Sequence, residues 1–569
     1  MKYLLIIAAT ALVTAFVCFL SFGPQPDGKI IDNDVQAAQK LLALDLTDDE
    51  IDTLLADVRD NAEDFDLMHQ YTLKNEVPPV LLFNPVPKGF SVDTSSITPK
   101  WDIPVEVALP ANQDALAFYS ILELASLLRS RQITSMELTQ LYLDRIRRYD
   151  DTLLSVITVT EELALEQARR ADEEIQQGKY RGPLHGIPYG VKDLLAVEGY
   201  KTTWGANTHK NQMINETATV VRKLEDAGAV LIAKLTSGAL ARGDVWFGGT
   251  TKNPWDLEQG ASGSSAGSAS AVVAGLVGFA IGTETMGSIS SPSTRCGASG
   301  LRPTFGRVSR HGVMTLSWSL DKVGPICRSA EDAALVFDAI RGADANDQTT
   351  VGADFAYDGE VDLSDLRMGF VEKYFEKDTT AQANNEQALA TLRELGADLQ
   401  SVDLPDSSTL PVKILSLIMY AEAGAAFDDL TRSNRDDSLV RQDERSRPNA
   451  LRQSRFIPAV EYIQANRYRY QLVQAMDSLM QQYDVVVTPT RGGRQLLITN
   501  MTGHPVVVVP IGFDEEGHPQ SITFIGNLYD EATILEVAHT YQQATDLEDQ
   551  HPEFFLPEVI AENQGAGAQ

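Results

Sequence analysis

Apolar positions along this chain alternate between helical and strand spacing, and the switches mark its organisation. Residues 3–22 form an uncharged, largely apolar run behind Lys2. Over 35–44 and 48–67 apolar residues recur every three or four positions, the spacing of one helix face. Thr47-Asp-Asp-Glu50 has the form of a capping box at the start of the second of these helices. Residues 77–110 are rich in proline, which predicts extended chain lying across a neighbour as a covering arm. From about residue 114 the two spacings alternate: helices over 121–129, 135–149, 161–177 and 219–227, strands over 153–159, 187–192 and 229–233. Strand, helix and strand recur at 368–371, 381–395 and 399–402. The stretch 411–475 is mostly helical, and 484–489 and 505–510 are buried-strand runs. This alternation predicts an α/β fold. The last residues, after about 555, read as a frayed tail.

Charge and cysteine usage narrow the partners. The 47 Lys+Arg against 79 Asp+Glu leave a net charge of −32. Such a surface repels phosphate backbones and anionic headgroups, which argues against nucleic acid and reads as solubilising acidity. Of the three cysteines, Cys18 lies in the apolar run, and Cys296 and Cys327 are expected as buried thiols. No CxxC or Cys/His cluster suggests metal or redox work. The 3–22 run reads equally as a cleaved secretory signal or as a membrane anchor, with the polar segment 23–27 following at once. Either way the body of the protein is expected outside the cytoplasm: periplasmic, secreted, or held at the outer face of the cytoplasmic membrane.

Candidate chemistry concentrates between residues 260 and 306, where two serine-bearing, glycine-rich turns flank an apolar run of small residues. Four readings compete for the first turn. A flexible Gly/Ser linker fails on context, because Ala269-Ser-Ala-Val-Val-Ala-Gly-Leu276 continues it as a helix built for close packing. A phosphate cradle lacks the Gly-Lys-Ser/Thr ending. Gly263-Ser264-Ser265-Ala266-Gly267 fits the nucleophile elbow G-x-S-x-G, with Ser265 as nucleophile. That elbow needs an apolar strand leading in, and 253–260 is polar, proline-broken and not strand-like. The fourth reading uses both turns. A strand over 277–281 enters Gly282-Thr-Glu-Thr-Met-Gly-Ser288, a turn able to aim several backbone N–H groups at one oxyanion, with Ser288 as nucleophile.

GSSAGSASAV, GTETMGSI and CGASGLRPTFGRVS, with GIPYGVKD and GAVLIAKLTSGALA upstream, resemble the amidase signature family. The resemblance runs from about residue 115 through TGHPVVVVPIGF to SITFIGNLYDEATILEVA, and Ser264 and Ser288 have the spacing the family pattern requires. It implies the amidase signature fold, a large mixed central β-sheet flanked by helices over 115–555, here behind an N-terminal helical and extended arm at 23–114. It also implies that Ser288 attacks the carbonyl, that Ser264, held by a cis peptide bond, relays protons, and that Lys192 is the ultimate base. Oxyanion donors are then the N–H groups of Thr285, Met286, Gly287 and Ser288. No metal or organic cofactor is needed.

The lysine can be argued on its own. A free lysine titrates near about 10.4 and is already protonated at neutral pH. Bringing it to roughly 7–8 takes about 4 kcal/mol of desolvation. Lys192 lies between Ile187-Pro-Tyr-Gly-Val191 and Leu194-Leu-Ala-Val197, an apolar bracket suited to that. Asp193 is expected to point to the opposite face of a strand.

Three positions depart from the family pattern. Glu284 stands where Asp is usual, Met286 where glycine is usual, and Ser290 where Arg is usual. Arg295 is a candidate replacement for the missing arginine. Methionine at 286 would be strained if that position needs positive φ. The expected activity is hydrolysis of a linear carboxylic amide, on a small-molecule or peptide substrate, through an acyl-enzyme. The alternatives are an A-type subunit of a tRNA-dependent amidotransferase, which hydrolyses glutamine alongside partner subunits, and a non-catalytic amide-binding protein. Tyr420 and Phe427, in the helical region, are speculative substrate contacts.

Overall fold

The computed structural model describes residues 30–70, 73–75, 77–95, 99–359, 361–407 and 410–557. The expectations for 1–22 and for 558–569 fall outside that set. Among the described residues no helix is long and apolar enough to cross a membrane.

The chain divides into two compact units at Lys74 and Asn75, so the 23–114 arm is shared between them. Among its described residues the first unit holds two helices, Asp32–Gln39 and Asp48–Met68. The second starts as its capping box predicts: Glu50 N–H donates to Thr47 Oγ1, and Thr47 N–H donates to the Glu50 carboxylate at 2.8 Å. The first is shorter than the apolar spacing over 35–44 suggests. It stops at Gln39, whose side-chain oxygen takes the Leu46 N–H instead (2.9 Å).

In the second unit, the proline-rich stretch is extended and tied down by aromatic contacts, Phe83 on Phe305 and Trp101 on Tyr357. Among the described residues, fifteen strands follow. β1 (Val156–Val159), β2 (Pro188–Lys192) and β3 (Val230–Leu235) come first. Next are four short ones, β4 (Val245–Trp246), β5 (Gly249–Thr250), β6 (Lys252–Asn253) and β7 (Asp256–Gly260). Then come β8 (Phe279–Glu284), β9 (Ser299–Arg302), β10 (Lys322–Cys327), β11 (Met368–Phe370) and β12 (Leu399–Ser401), and last β13 (Val485–Pro489), β14 (Val506–Phe513) and β15 (Pro519–Gly526). Eleven of them make one sheet in the order β1-β3-β2-β8-β10-β9-β14-β15-β13-β11-β12. It is mixed: β3, β2 and β8 run parallel, as do β13, β11 and β12, and the pairs between are antiparallel. β3, β8 and β13 are buried along their whole length, so they read as largely apolar runs rather than alternating ones. Helices such as Ile121–Arg129, Ser135–Leu153 and Glu531–Gln543 cover the faces and close the main core.

The α/β expectation and most element types hold. Besides the shorter first helix, two local expectations do not. The residues before the first serine turn are strand after all: β6 and β7 form a polar two-stranded hairpin outside the main sheet. β8 also runs on to Glu284, so the second turn is shorter than 282–288. Cys296 and Cys327 are free and buried, as expected.

Candidate active site

β2 and β8 lie side by side and parallel, with Gly190 opposite Ala280. Both C-terminal ends therefore open on the same edge of the sheet, where open α/β folds place their ligands. Lys192 ends β2 and is fully buried. Its Nζ lies 2.8 Å from Ser264 Oγ, 3.0 Å from Ser265 Oγ, 2.9 Å from Thr283 Oγ1 and 3.4 Å from the Thr283 carbonyl. Burial drives its pKa well below the ordinary 10.5, against the opposing charges of Asp321 and Glu284.

Counting donors and acceptors shows what this setting favours. The single proton of Ser265 goes to the Thr283 carbonyl at 3.1 Å, and the same oxygen accepts the Thr283 N–H at 3.2 Å. Toward Lys192 it can only accept. A neutral amine has two N–H donors and one lone pair. With its N–H groups donated to Ser265 and Thr283, the lone pair is left for the Ser264 hydroxyl.

Asp193 is turned away from this group. Its carboxylate sits 2.7 Å from Lys234 Nζ and accepts from the Thr203 N–H (2.8 Å) and hydroxyl (2.5 Å). Asp193 lies just past the end of β2, in a turn, so its side chain faces away from Lys192 as expected, though not through strand alternation.

The first serine turn leaves the β6–β7 hairpin and enters the helix Ala266–Val273. The Gly263–Ser264 peptide is cis, as the resemblance implies. Gly282 lets the turn settle onto β8: a Cβ there would stand 2.9 Å from Ser265 Oγ. Ser265 N–H donates to the Ser288 carbonyl at 3.1 Å, which binds the two serine turns together. Ser264 and Ser265 are buried, whereas Ser288 is half-exposed. Among the described residues, none accepts a hydrogen bond from the backbone N–H of Met286, Gly287 or Ser288. Gly287 has φ of +97° and Met286 does not share that conformation, so methionine is unstrained at 286. Its side chain is half-buried against an apolar cluster that includes Leu415, Ile418 and Ile498.

Two carboxylates hold the second turn, Glu284 buried and Asp321 half-buried. Glu284 Oε2 accepts the N–H groups of Ile289 and Ser290 and the Ser290 hydroxyl, each at 2.9 Å. Its Oε1 faces Arg302 Nη1 and Asn500 Nδ2, both at 2.8 Å. Burial pushes this carboxyl up, but the Arg302 charge, the Ser290 N–H and the Lys322 charge outweigh it and hold it at about 2. Arg295 is not the replacement cation; it donates to Gln259 instead. The longer glutamate reaches across to β9 for its arginine, and serine at 290 adds a hydroxyl donor. Asp321 holds the other end, accepting from Thr285 Oγ1 at 2.6 Å.

The structure thus joins Lys192, Ser264 and Thr283 directly and brings Ser288 against Ser265. Phe427 is buried, edge-on to Trp204 in an apolar cluster. Tyr420 is half-buried on the helix Ser416–Ala426. Sequence reasoning missed Thr283, Arg302 and Asp321. The Thr after a glycine-punctuated strand was a usable signal for the first. The other two come from β9 and from beside β10, neither of which reads as a strand.

Comparison with known proteins agrees with this architecture. The Amidase family profile matches residues 137–498. The A-type subunit of the glutamyl-tRNA(Gln) amidotransferase of Coxiella burnetii is 34% identical over 478 residues, covering 76% of this chain and 99% of its own. Its counterpart in Acinetobacter baumannii is also 34% identical, over 75% of this chain and 96% of its own. Among solved structures, the native peptide amidase of Stenotrophomonas maltophilia superposes with a TM-score of 0.68 at 30% identity, covering 76% of this chain and 98% of its own. A mixed-sheet hydrolase with a buried lysine under paired serine turns is the class that fold and site define. The chain belongs to the amidase family and is an amide-hydrolysing enzyme.

Proposed function

We propose that the chain hydrolyses a linear carboxylic amide through an acyl-enzyme on Ser288, with Ser264 as proton relay and Lys192 as base. The Ser288 hydroxyl adds to the carbonyl carbon while its proton passes to Ser264 Oγ and the Ser264 proton passes to Lys192. The N–H groups of residues 285–288 meet the negative charge on the carbonyl oxygen. The relay then returns a proton to the nitrogen, the C–N bond breaks, and ammonia or an amine leaves; water repeats the sequence on the ester. The observation that carries this reading is the 2.8 Å contact between a fully buried, hydroxyl-surrounded Lys192 Nζ and Ser264 Oγ.

A fluorophosphonate probe followed by peptide mapping tests it. Modification at Ser288, absent in Ser288→Ala, is the expected result. Modification at Ser265 would restore the elbow reading, and no modification would favour a binding protein.

The second reading, an A-type subunit of an amidotransferase, rests on the 34% identity to such proteins. We favour a stand-alone, exported enzyme, because of the apolar run at 3–22 and the residues that precede the matched region. Purification of the full chain from its host with no co-purifying partner chain, and its recovery outside the cytoplasm, would support that choice.

A further inference from the structure

Glu422 is buried on the helix Ser416–Ala426, well over a hundred residues beyond either serine turn. Its carboxylate accepts four hydrogen bonds: from Ser317 Oγ (2.5 Å), Ser319 N–H (3.0 Å), Ser319 Oγ (2.7 Å) and Tyr462 OH (2.9 Å). Arg469 closes the group, donating to Ser319 Oγ (2.8 Å) and to the Ser319 and Met501 carbonyls (2.9 and 2.7 Å). Tyr462 and Arg469 both belong to the helix Ala459–Met480. One carboxylate therefore ties two helices of the 411–480 region to the loop ahead of β10.

That loop is also the one that reaches the second serine turn. Leu316 and Ser317 donate their N–H groups to Asp321 Oδ2 (2.8 and 3.0 Å), while Asp321 Oδ1 accepts from Thr285 Oγ1 (2.6 Å). Ser317 is gripped twice, its hydroxyl by Glu422 and its N–H by Asp321. The hydrogen bonds run without a gap from Glu422 through Ser317 and Asp321 to Thr285, the first residue of the turn that ends at Ser288.

We propose that Glu422 is a positioning residue for the oxyanion turn, acting through Ser317 and Asp321 on Thr285. It rests on the reading of residues 285–288 as the oxyanion donors. A carboxylate only accepts, so all four donors can converge on it; the isosteric amide would turn an NH2 toward some of them. Displacing the loop by about 1 Å is enough to cost ~100-fold at a reacting centre.

The test measures the rate at which full-length protein is modified by a fluorophosphonate, alongside its thermal midpoint. Glu422→Gln is expected to slow modification 10- to 100-fold, as is Thr285→Val. The double variant should be no slower than the slower single one, since both break the same linkage. Ser317→Ala, which cuts the chain without touching a charge, carries the test if Glu422→Gln does not fold, and should slow modification in the same direction. A lowered midpoint with an unchanged rate would mean a purely structural role and overturn the proposal, as would rate losses that multiply in the double variant. Lys192→Ala separates the two readings. If it is modified as fast as wild type, the catalytic assignment itself fails. If it is inert while Glu422→Gln reacts normally, only this inference falls.

Discussion

Two lysines lie side by side in the sheet, and their surroundings differ in one respect. Val191 and Lys192 of β2 pair with Lys234 and Leu235 of β3, and both lysines are fully buried. Burial is the largest influence on each and lowers the pKa of each. Lys234 has Asp193 at 2.7 Å, with the Lys201 carbonyl and Thr202 Oγ1 at 2.6 Å. Lys192 has hydroxyls and one carbonyl. The carboxylates that act on it from further away, Glu284 and Asp321, are already bound to Arg302 and Thr285. Burial alone does not make a base. What separates the two amines is the Asp193 carboxylate, which lies in the turn just past the end of β2 and faces Lys234.

The sharpest way to break this comparison is to remove each amine in turn. Lys192→Ala should lower turnover at neutral pH by roughly 100- to 10,000-fold, the range expected for losing a positioned base. The wild-type rate should fall as pH drops through the depressed Lys192 pKa, because only the neutral amine accepts the proton. Stability follows the same sign. Between that pKa and 10.5 the unfolded chain holds a proton that the folded one has shed, so stability rises with pH across this window. Lys192→Met should flatten that rise. A pH–rate profile of wild type with no acidic limb would remove Lys192 from the base role.

Lys234→Met should do the reverse. It leaves Asp193 buried without its cation, which costs about 3–5 kcal/mol, so denaturant titration should show a large loss of stability. Turnover per folded molecule, normalised to fluorophosphonate-reactive protein, should stay within about threefold of wild type. A loss of turnover as large as that of Lys192→Ala would show that the two sites are not separable.

The same contrast bears on how much of the molecule was legible in its sequence. Ser264 and Ser288 were readable because each sits in a glycine-rich turn at the spacing of the family pattern, and Lys192 because it is a lone lysine in an apolar bracket. Helices were readable where caps announced them, as at Thr47. β9 and β10, at the middle of the sheet, were not, whereas β8 and β14 beside them were. β9 is Ser-Gly-Leu-Arg, with Arg302 buried to meet Glu284, and β10 contains Gly324 and Pro325, residues that argue against a central strand. β9 lost its strand signature to Arg302, and β10 to Gly324, where a Cβ would run into the Leu301 carbonyl oxygen, and to Pro325. Arg302 was therefore passed over for Arg295, which is nearer in sequence. Partnerships such as Glu422 with Ser317 cross the chain between elements and leave no local pattern at all.

The smallest expected effect tests the hydroxyl environment itself. Ser265 Oγ accepts from Lys192 in either protonation state, and more strongly from the ammonium, because charge-assisted hydrogen bonds are the stronger. Ser265→Ala should therefore depress the Lys192 pKa further and move the acidic limb of the pH–rate profile downward. A hydrogen bond is worth about 1 kcal/mol net, and only its charge-dependent part counts, so the move should be less than about one pH unit. The plateau rate should also drop, by roughly tenfold, because the lysine loses the acceptor that keeps its lone pair turned toward Ser264. An upward move of the limb would mean that Ser265 donates to Lys192 rather than accepting. The Ser265 proton would then not belong to the Thr283 carbonyl, and the difference between the two lysines would lie in something other than the acceptors around them.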